Sequence, residues 1–264
     1  MADLVEQMLY APLFDQAEAV RWRMADIPWA SIDRAAVTPE LCELVRGIAF
    51  SEQTTFGATR RFMTELADDV DLTQWIAVWF YEETKHPDVL LRWLHRVGVE
   101  VDAQFVQKGR ATAPFMRSRM GTFVTNIISE LVASTAYAAL HARAPEPVLA
   151  HIGGLLAGDE ARHCASFFRY AQRQLARSAD PARERRDALK VLFLWFQTNE
   201  LITHPVNEFF SRHRLPFDVA SVRDRAARLV GLLIGVALTG ASDIGAHLRG
   251  AEPHPEQEHE HGTA

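Results

Sequence analysis

Glu83 and His86 form one Glu-x-x-His pair, and Glu160 and His163 form a second about 77 residues further on. A lone glutamate precedes each pair by roughly thirty residues, Glu52 before the first and Glu130 before the second. Helix positions three apart lie nearly one above the other, so each pair aims at one point. Carboxylates suit hard cations, and imidazole suits first-row transition metals. Two such pairs plus two single glutamates make the ligand set of a carboxylate-bridged di-iron or di-manganese centre inside a four-helix bundle. The ions balance the acids, and neither set could be buried alone except at great cost. The chemistry open to such a centre is the activation of O2.

The motif by itself says little. With 19 Glu and 11 His in the chain, chance supplies about 0.8 matches. Two further matches, Glu256/His259 and Glu258/His261, sit in a charged tail and are compositional. Position is what favours the other two. In an antiparallel hairpin, residues equally far from the turn reach the same height. The midpoint between Glu52 and Glu83 falls in Ala67-Asp68-Asp69-Val70-Asp71, a turn-like acidic cluster. The midpoint between Glu130 and Glu160 falls in Ala144-Pro145-Glu146-Pro147, a strong helix breaker. Both halves are thus set to meet across their own hairpins, and the hairpins repeat as a pseudo-twofold pair.

The elements needed to position these residues follow from the chain's punctuation. Residues 1–37, with Trp22 and Trp29, are expected as short helices or an irregular arm. Thr38-Pro39-Glu40 is a good helix start, and the first bundle helix is expected to run to Leu66. The second starts near Asp71 or Thr73 and runs to Val97, with Gly98 as its cap. Pro87 falls inside it and removes a backbone hydrogen bond. Residues 98–118 read as a crossover connection. The third and fourth helices cover 119–142 and 146–178. Further helices are expected over 181–203, 204–213 and 216–248. The fold class is therefore all-α, one domain over 1–248 with a core bundle over 38–178, and a disordered polar tail over 249–264.

Composition agrees with a sizeable helical core, at 48% hydrophobic residues and 14 Gly. The net charge of −6 disfavours nucleic-acid binding. Two cysteines, Cys42 and Cys164, suit a reducing cytoplasm rather than a disulfide framework. Cys164 reads as a small core residue. The acidic N-terminus is no secretory signal, and the longest apolar run, Leu229 to Leu238, is too short to span a bilayer.

The stretch from Trp79 through Glu82, Glu83, Thr84, Lys85, His86 and Pro87 to Trp93 and Gly98 resembles the Glu-Glu-Asn-Arg-His-Gly region of soluble acyl-carrier-protein desaturases. Gly158-Asp159-Glu160-Ala161-Arg162-His163 resembles their Asp-Glu-Lys-Arg-His motif. The likeness covers residues 38–178 and lies within the wider ferritin-like di-iron carboxylate superfamily. It implies a ferritin-like bundle with metal ligation by Glu52, Glu83, His86, Glu130, Glu160 and His163. Glu83 and Glu160 would bridge or chelate, and Glu52 and Glu130 would be the more mobile ligands. Asp159 would orient His86 and Glu82 would orient His163 through the distal ring N–H, with Arg162 placed to pair with Asp159. The sequence departs from the desaturase pattern at Ala133, where the family carries a Thr, and at Pro87, where it carries a Gly. Glu200 and His204 form an extra i,i+4 pair on a later helix that would suit an additional ligand.

The leading expectation is an O2-dependent di-iron oxidoreductase of desaturase type, introducing a double bond by hydrogen abstraction. The alternatives are an N-oxygenase or hydroxylase of a small metabolite and, third, ferritin-type metal storage. Two Fe ions are expected, with Mn or a mixed Mn/Fe pair also suited to the ligands. O2 is the co-substrate, and an external electron donor such as ferredoxin is required. Phe56, Trp79, Ser134 and Phe167, each one turn from a ligand, are candidates to line the substrate pocket. Acyl carrier protein or a small molecule is the expected substrate partner. Basic clusters at Lys108, Arg110, Arg117 and Arg119, and at Arg173, Arg177, Arg183, Arg185 and Arg186, are candidate docking sites for an acidic carrier. A homodimer is expected.

Overall fold

The computed structural model describes residues 8–111, 118–197, 219–239 and 241–250. All regular structure among them is helical. The N-terminal arm consists of α1 (Tyr10–Val20) and three single 3-10 turns at Met24–Asp26, Trp29–Ser31 and Arg34–Ala36.

Thr38 caps the first bundle helix, accepting from Leu41 N at 3.2 Å with Pro39 in the first turn. The expected single helix to Leu66 is two segments, α2 (Pro39–Glu52) and α3 (Thr54–Glu65). The interruption lies at Gln53, directly after Glu52, and has a physical cause. Gln53 is buried, and Arg110 Nε donates to its side-chain oxygen at 3.1 Å. Gly109 approaches so closely that an added Cβ would stand 2.6 Å from Gln53 Cβ. Both come from α6 (Ala103–Ala111), a helix inside the stretch expected to be a plain crossover.

The second bundle helix is likewise interrupted beside its ligands, as α4 (Val70–Glu83) and α5 (Lys85–Val97). Thr84 keeps helical dihedrals of −63° and −22°. What is missing is a hydrogen bond, because Pro87 has no N–H to offer the Glu83 carbonyl four residues back. Gly98, at φ 94°, ends α5 in the left-handed region.

The second hairpin consists of α7 (Arg119–Arg143) and α8 (Pro147–Arg177), each uninterrupted. Glu146 caps α8, accepting from Val148 N at 3.1 Å and Leu149 N at 2.8 Å. Close approach of the two helices requires Gly153, where a Cβ would meet His141 N at 2.8 Å and Tyr137 O at 3.1 Å. By length and composition α7 would suffice to cross a membrane, yet 67% of its most apolar window is buried inside the bundle, which accounts for its apolarity.

Beyond α8 come α9 (Pro181–Gln197), α10 (Val219–Ile234) and α11 (Ala241–Gly250). The helix expected over 216–248 is therefore divided. Gly235, at φ 77°, allows Val236 N to bond Gly231 O at 2.9 Å and stops α10. Arg249 and Gly250, expected in the tail, close α11. The helix expected over 204–213 and residues 251–264 lie outside the described residues.

The core divides into two clusters. One contains Ala58, Phe62, Trp75, Trp79, Ile127, Phe167 and Tyr170, joined by Leu189, Val230 and Ile244 of the later helices. The other contains Val45, Ala49, Leu90, Trp93, Leu149, Ile152 and Leu156. Along three of the bundle helices the clusters meet at the acidic residues: α2–α3 changes cluster at Glu52, α4–α5 between Trp79 and Val89, and α8 between Leu156 and Cys164; α7 changes between Val132 and Tyr137, just beyond Glu130. A polar layer is held between two apolar plugs.

Candidate metal centre

The six sequence-selected residues converge in that layer. Glu83, His86, Glu130, Glu160 and His163 are buried, and the Glu52 side chain is 11% exposed. Glu52, Glu83, His86 and Glu160 form one set of potential ligands, and Glu83, Glu130, Glu160 and His163 form a second, with ligand atoms within 4.8 Å of one another in each. Glu83 and Glu160 belong to both.

The sharing is visible atom by atom. Glu83 places Oε2 3.5 Å from His86 Nδ1 and Oε1 2.9 Å from His163 Nδ1. Glu160 places Oε1 3.4 Å from His86 Nδ1 and Oε2 3.3 Å from His163 Nδ1. The lone acids are not shared. Glu52 Oε2 lies 3.6 Å from His86 Nδ1, and Glu130 Oε2 lies 3.8 Å from His163 Nδ1. The ring centroids are 5.9 Å apart. This is the arrangement of two half-sites bridged by two carboxylates, each half-site completed by one imidazole and one terminal carboxylate.

A test of fit comes from His86. Its Nδ1 is buried with no hydrogen-bond partner, although three carboxylate oxygens ring it at 3.4–3.6 Å. A nitrogen facing only oxygens, none at bonding geometry, is what a cation between them would resolve. The electrostatics agree. Burial and neighbouring carboxylates push the Glu52 carboxyl up to about 7 and Glu130 well above its ordinary range. Burial works against charge on the imidazoles, but the surrounding carboxylates raise both far above normal. On Glu160 burial is outweighed by hydrogen bonds and by the imidazole charges, and its carboxyl is held low. Protons thus do the neutralising that divalent cations do better, and iron or manganese suits this oxygen-rich, two-imidazole set.

Partners behind the six repeat the twofold pattern. His86 Nε2 meets Asp159 Oδ2 at 3.2 Å, and His163 Nε2 meets Glu82 Oε2 at 3.1 Å. Each acid comes from the opposite hairpin. With Nδ1 given to a cation, Nε2–H donates to the acid, and the acid fixes ring and tautomer. Burial opposes ionisation of Asp159 and Glu82, but the imidazoles override it, and both carboxyls lie below their ordinary values. Arg162 pairs with Asp159 and lies 3.9 Å from Glu82.

Of the pocket candidates, Trp79 Nε1 donates to Glu130 Oε1 at 3.2 Å, so its role is to hold a carboxylate. Phe167 stacks edge-on behind Trp79 at 5.6 Å. The other two make contacts of their own. Phe56 sits edge-on to Phe80 at 5.1 Å, beneath the Arg110 guanidinium, because it lies about 100° round the helix from Thr55. Ser134 Oγ donates to Ala157 O at 3.1 Å, tying α7 to α8. Glu200 and His204 lie outside the described residues. Cys164 Sγ donates to Ile127 O at 3.4 Å, and burial pushes its thiol up to about 12, so it is a core residue.

Three partners emerge only in three dimensions. Tyr137 Oη donates to Glu52 Oε1. Thr55 Oγ1 lies 3.3 Å from Glu83 Oε2. Trp22 Nε1 donates to Asp159 Oδ2 at 2.8 Å. Tyr137 stands two turns beyond Glu130 on the same helix stripe, which is the one local signal any of them offers.

No protein-family model matches the chain, and no curated protein matches it in sequence. Solved structures do match in shape. An R2-like ligand-binding oxidase variant with anaerobically reconstituted Mn/Fe cofactor aligns at a TM-score of 0.62 and 17% identity, over 88% of this chain and 94% of that one. A second variant, with aerobically reconstituted Mn/Fe cofactor, gives 0.60 and 18%, over 88% and 94%. An R2-like ligand-binding oxidase with aerobically reconstituted Mn/Fe cofactor gives 0.59 and 17%, over 88% and 93%. At such identities the likeness is one of fold, and the chain has an all-α, ferritin-like helical fold in common with these R2-like ligand-binding oxidases.

Proposed function

We propose that the protein is a non-haem di-metal oxidase that uses O2 to oxidise an organic substrate. The observation that carries this reading is the pair of half-sites that share Glu83 and Glu160 and are each completed by one imidazole and one terminal carboxylate. The neighbours' Mn/Fe cofactor supports a first-row pair, either two Fe or Mn with Fe, in these residues. When bound, the metals supply the redox equivalents that reduce O2 and direct its oxidising power at the substrate.

The chain's own residues do the rest. Glu83 and Glu160, present in both ligand sets, would be shared between the two ions. His86 and His163 are locked in orientation by Asp159 and Glu82. Tyr137 and Trp79 each occupy one oxygen of a terminal carboxylate and leave the other facing the centre. The two apolar plugs keep bulk water out, which strengthens every electrostatic interaction inside.

The narrower form of the proposal is dehydrogenation of an acyl chain delivered on a carrier protein, with electrons from an external donor such as ferredoxin. The motif resemblance supports it. The basic surface supports it less than the sequence suggests. Arg119 is paired with Asp68 at 2.5 Å, Arg173 is tied to Asp69 and Asp71, and Arg110 is engaged with Gln53. Arg177, Arg183 and Arg185 remain exposed at the α8–α9 turn. The test is to load the protein anaerobically with Fe(II), or with Mn(II) and Fe(II), and admit O2. Two bound ions per chain with O2 uptake and a change in the visible spectrum are expected. Two bound ions with no O2 uptake would refute the oxidase.

A further inference from the structure

The segment from Leu9 to Trp22 runs along α4 as a strap fixed at both ends. At the near end, Asp71 accepts from Leu9 N at 3.2 Å and Tyr10 N at 2.8 Å and also holds Arg173. At the far end are two tethers. Arg21 Nε donates to Glu82 Oε1 at 3.5 Å, and Trp22 Nε1 donates to Asp159 Oδ2 at 2.8 Å. Glu82 and Asp159 are the acids that hold His163 and His86. Each tether therefore ends one hydrogen bond from a different imidazole, and the strap touches both half-sites. Lys85 clasps it from outside, with Nζ donating to Trp22 O at 3.2 Å and lying 4.3 Å from the indole centroid.

We propose that this strap is a metal-responsive cover whose docking and the loading of the centre reinforce each other. The inference rests on the six residues being a metal centre. A cation at Nδ1 would hold each ring in one orientation, with Nε2–H aimed at its acid. That fixes Asp159 and Glu82, which are 1% and 2% exposed and have no water to turn to. Fixed carboxylates are a ready template for the indole and the guanidinium. Released ones are not, because the strap must then bear the ordering itself. The Asp71 anchor stands three helical turns from Glu82, or about 16 Å, and is indifferent to the metals. Opening thus begins at Trp22, while Leu9 stays fixed. By reciprocity, whatever loading contributes to docking, docking contributes to metal retention.

The test uses the full chain, stripped by a chelator and reloaded with Mn(II) in the absence of oxidant. Tryptic cleavage after Arg21, whose side chain is tied to Glu82, reports the open population. Loading is expected to slow it by about tenfold. Equal rates in stripped and loaded samples, with two ions verified in the latter, would overturn the proposal. In the reverse direction, R21Q combined with W22F is expected to speed Mn(II) release to a chelator by about tenfold. R23Q, whose parent pairs only with Asp26 among the described residues, leaves release unchanged. Should the double variant fail to fold, R21Q alone serves, and unchanged release there counts against the strap. A chain that takes up no metal defeats the centre itself. Two bound ions beneath a strap indifferent to them defeat only this inference.

Discussion

Replacing Asp159 with Asn separates the two half-sites. The change keeps shape and removes charge. Asp159 Oδ2 receives both His86 Nε2 at 3.2 Å and Trp22 Nε1 at 2.8 Å, and Oδ1 takes Arg162. An asparagine oxygen turned to His86 and Trp22 leaves an amide N–H facing a guanidinium, and the opposite flip faces two donors. Loss of such an outer partner costs about 10–100-fold in metal affinity, or about 1.4–2.8 kcal/mol. The upper half of that range is expected, because the side chain is only 1% exposed and water cannot replace the lost charge. His163 has its own acid, Glu82, so the second ion keeps its affinity. Mn(II) titration of the stripped protein against a competing chelator should show one weakened step of two. Glu82→Gln weakens the other step, and the double variant weakens both. If D159N leaves both steps unchanged, or the double variant retains one tight ion, the crossed pairing of acids with imidazoles is wrong.

The shared acids should be distinguishable from the lone ones by metal analysis, with Glu83→Ala or Glu160→Ala losing both ions and Glu52→Ala or Glu130→Ala losing one. Because the Glu52 carboxyl is raised to about 7, it holds a proton that metal must displace. Mn(II) affinity should therefore climb as pH rises through about 7, and go on climbing above it while His86 and His163 give up their protons. The stability linkage has the same origin. A folded value raised above the unfolded 4.5 favours the folded state below pH 4.5, and that advantage is lost as pH rises to about 7. His86 and His163, also raised, lose their contribution only above their ordinary 6.5. The melting temperature of stripped protein should fall across pH 5–8 for these reasons, and that of loaded protein should not. Away from the centre, Glu146 caps α8 and accepts from Trp93 Nε1 at 2.6 Å. Glu146→Ala should cost about 2–4 kcal/mol in denaturant unfolding, the sum of a lost cap and a stranded indole N–H, without changing metal stoichiometry.

What the chain determined by itself was whatever depends on local geometry. Three-residue spacing on a helix stacks Glu83 with His86 and Glu160 with His163 whatever surrounds them. Breakers at 67–71 and 144–147 then bring Glu52 and Glu130 to the same height. Capping residues Thr38 and Gly98 mark ends that the structure keeps. Interruptions were harder to read. Pro87 was visible, but the break at Gln53 comes from α6 pressing Gly109 and Arg110 onto it, a contact with no local signature. Tertiary structure alone decided which oxygen faces which nitrogen. Tyr137 reaches Glu52, Trp79 reaches Glu130 and Trp22 reaches Asp159 across sequence separations of 85, 51 and 137 residues. Such pairings depend on helix rotation and separation, which the packing of two apolar clusters sets. Spacing along a chain fixes the direction of a side chain on its own helix, and only close packing fixes what stands opposite.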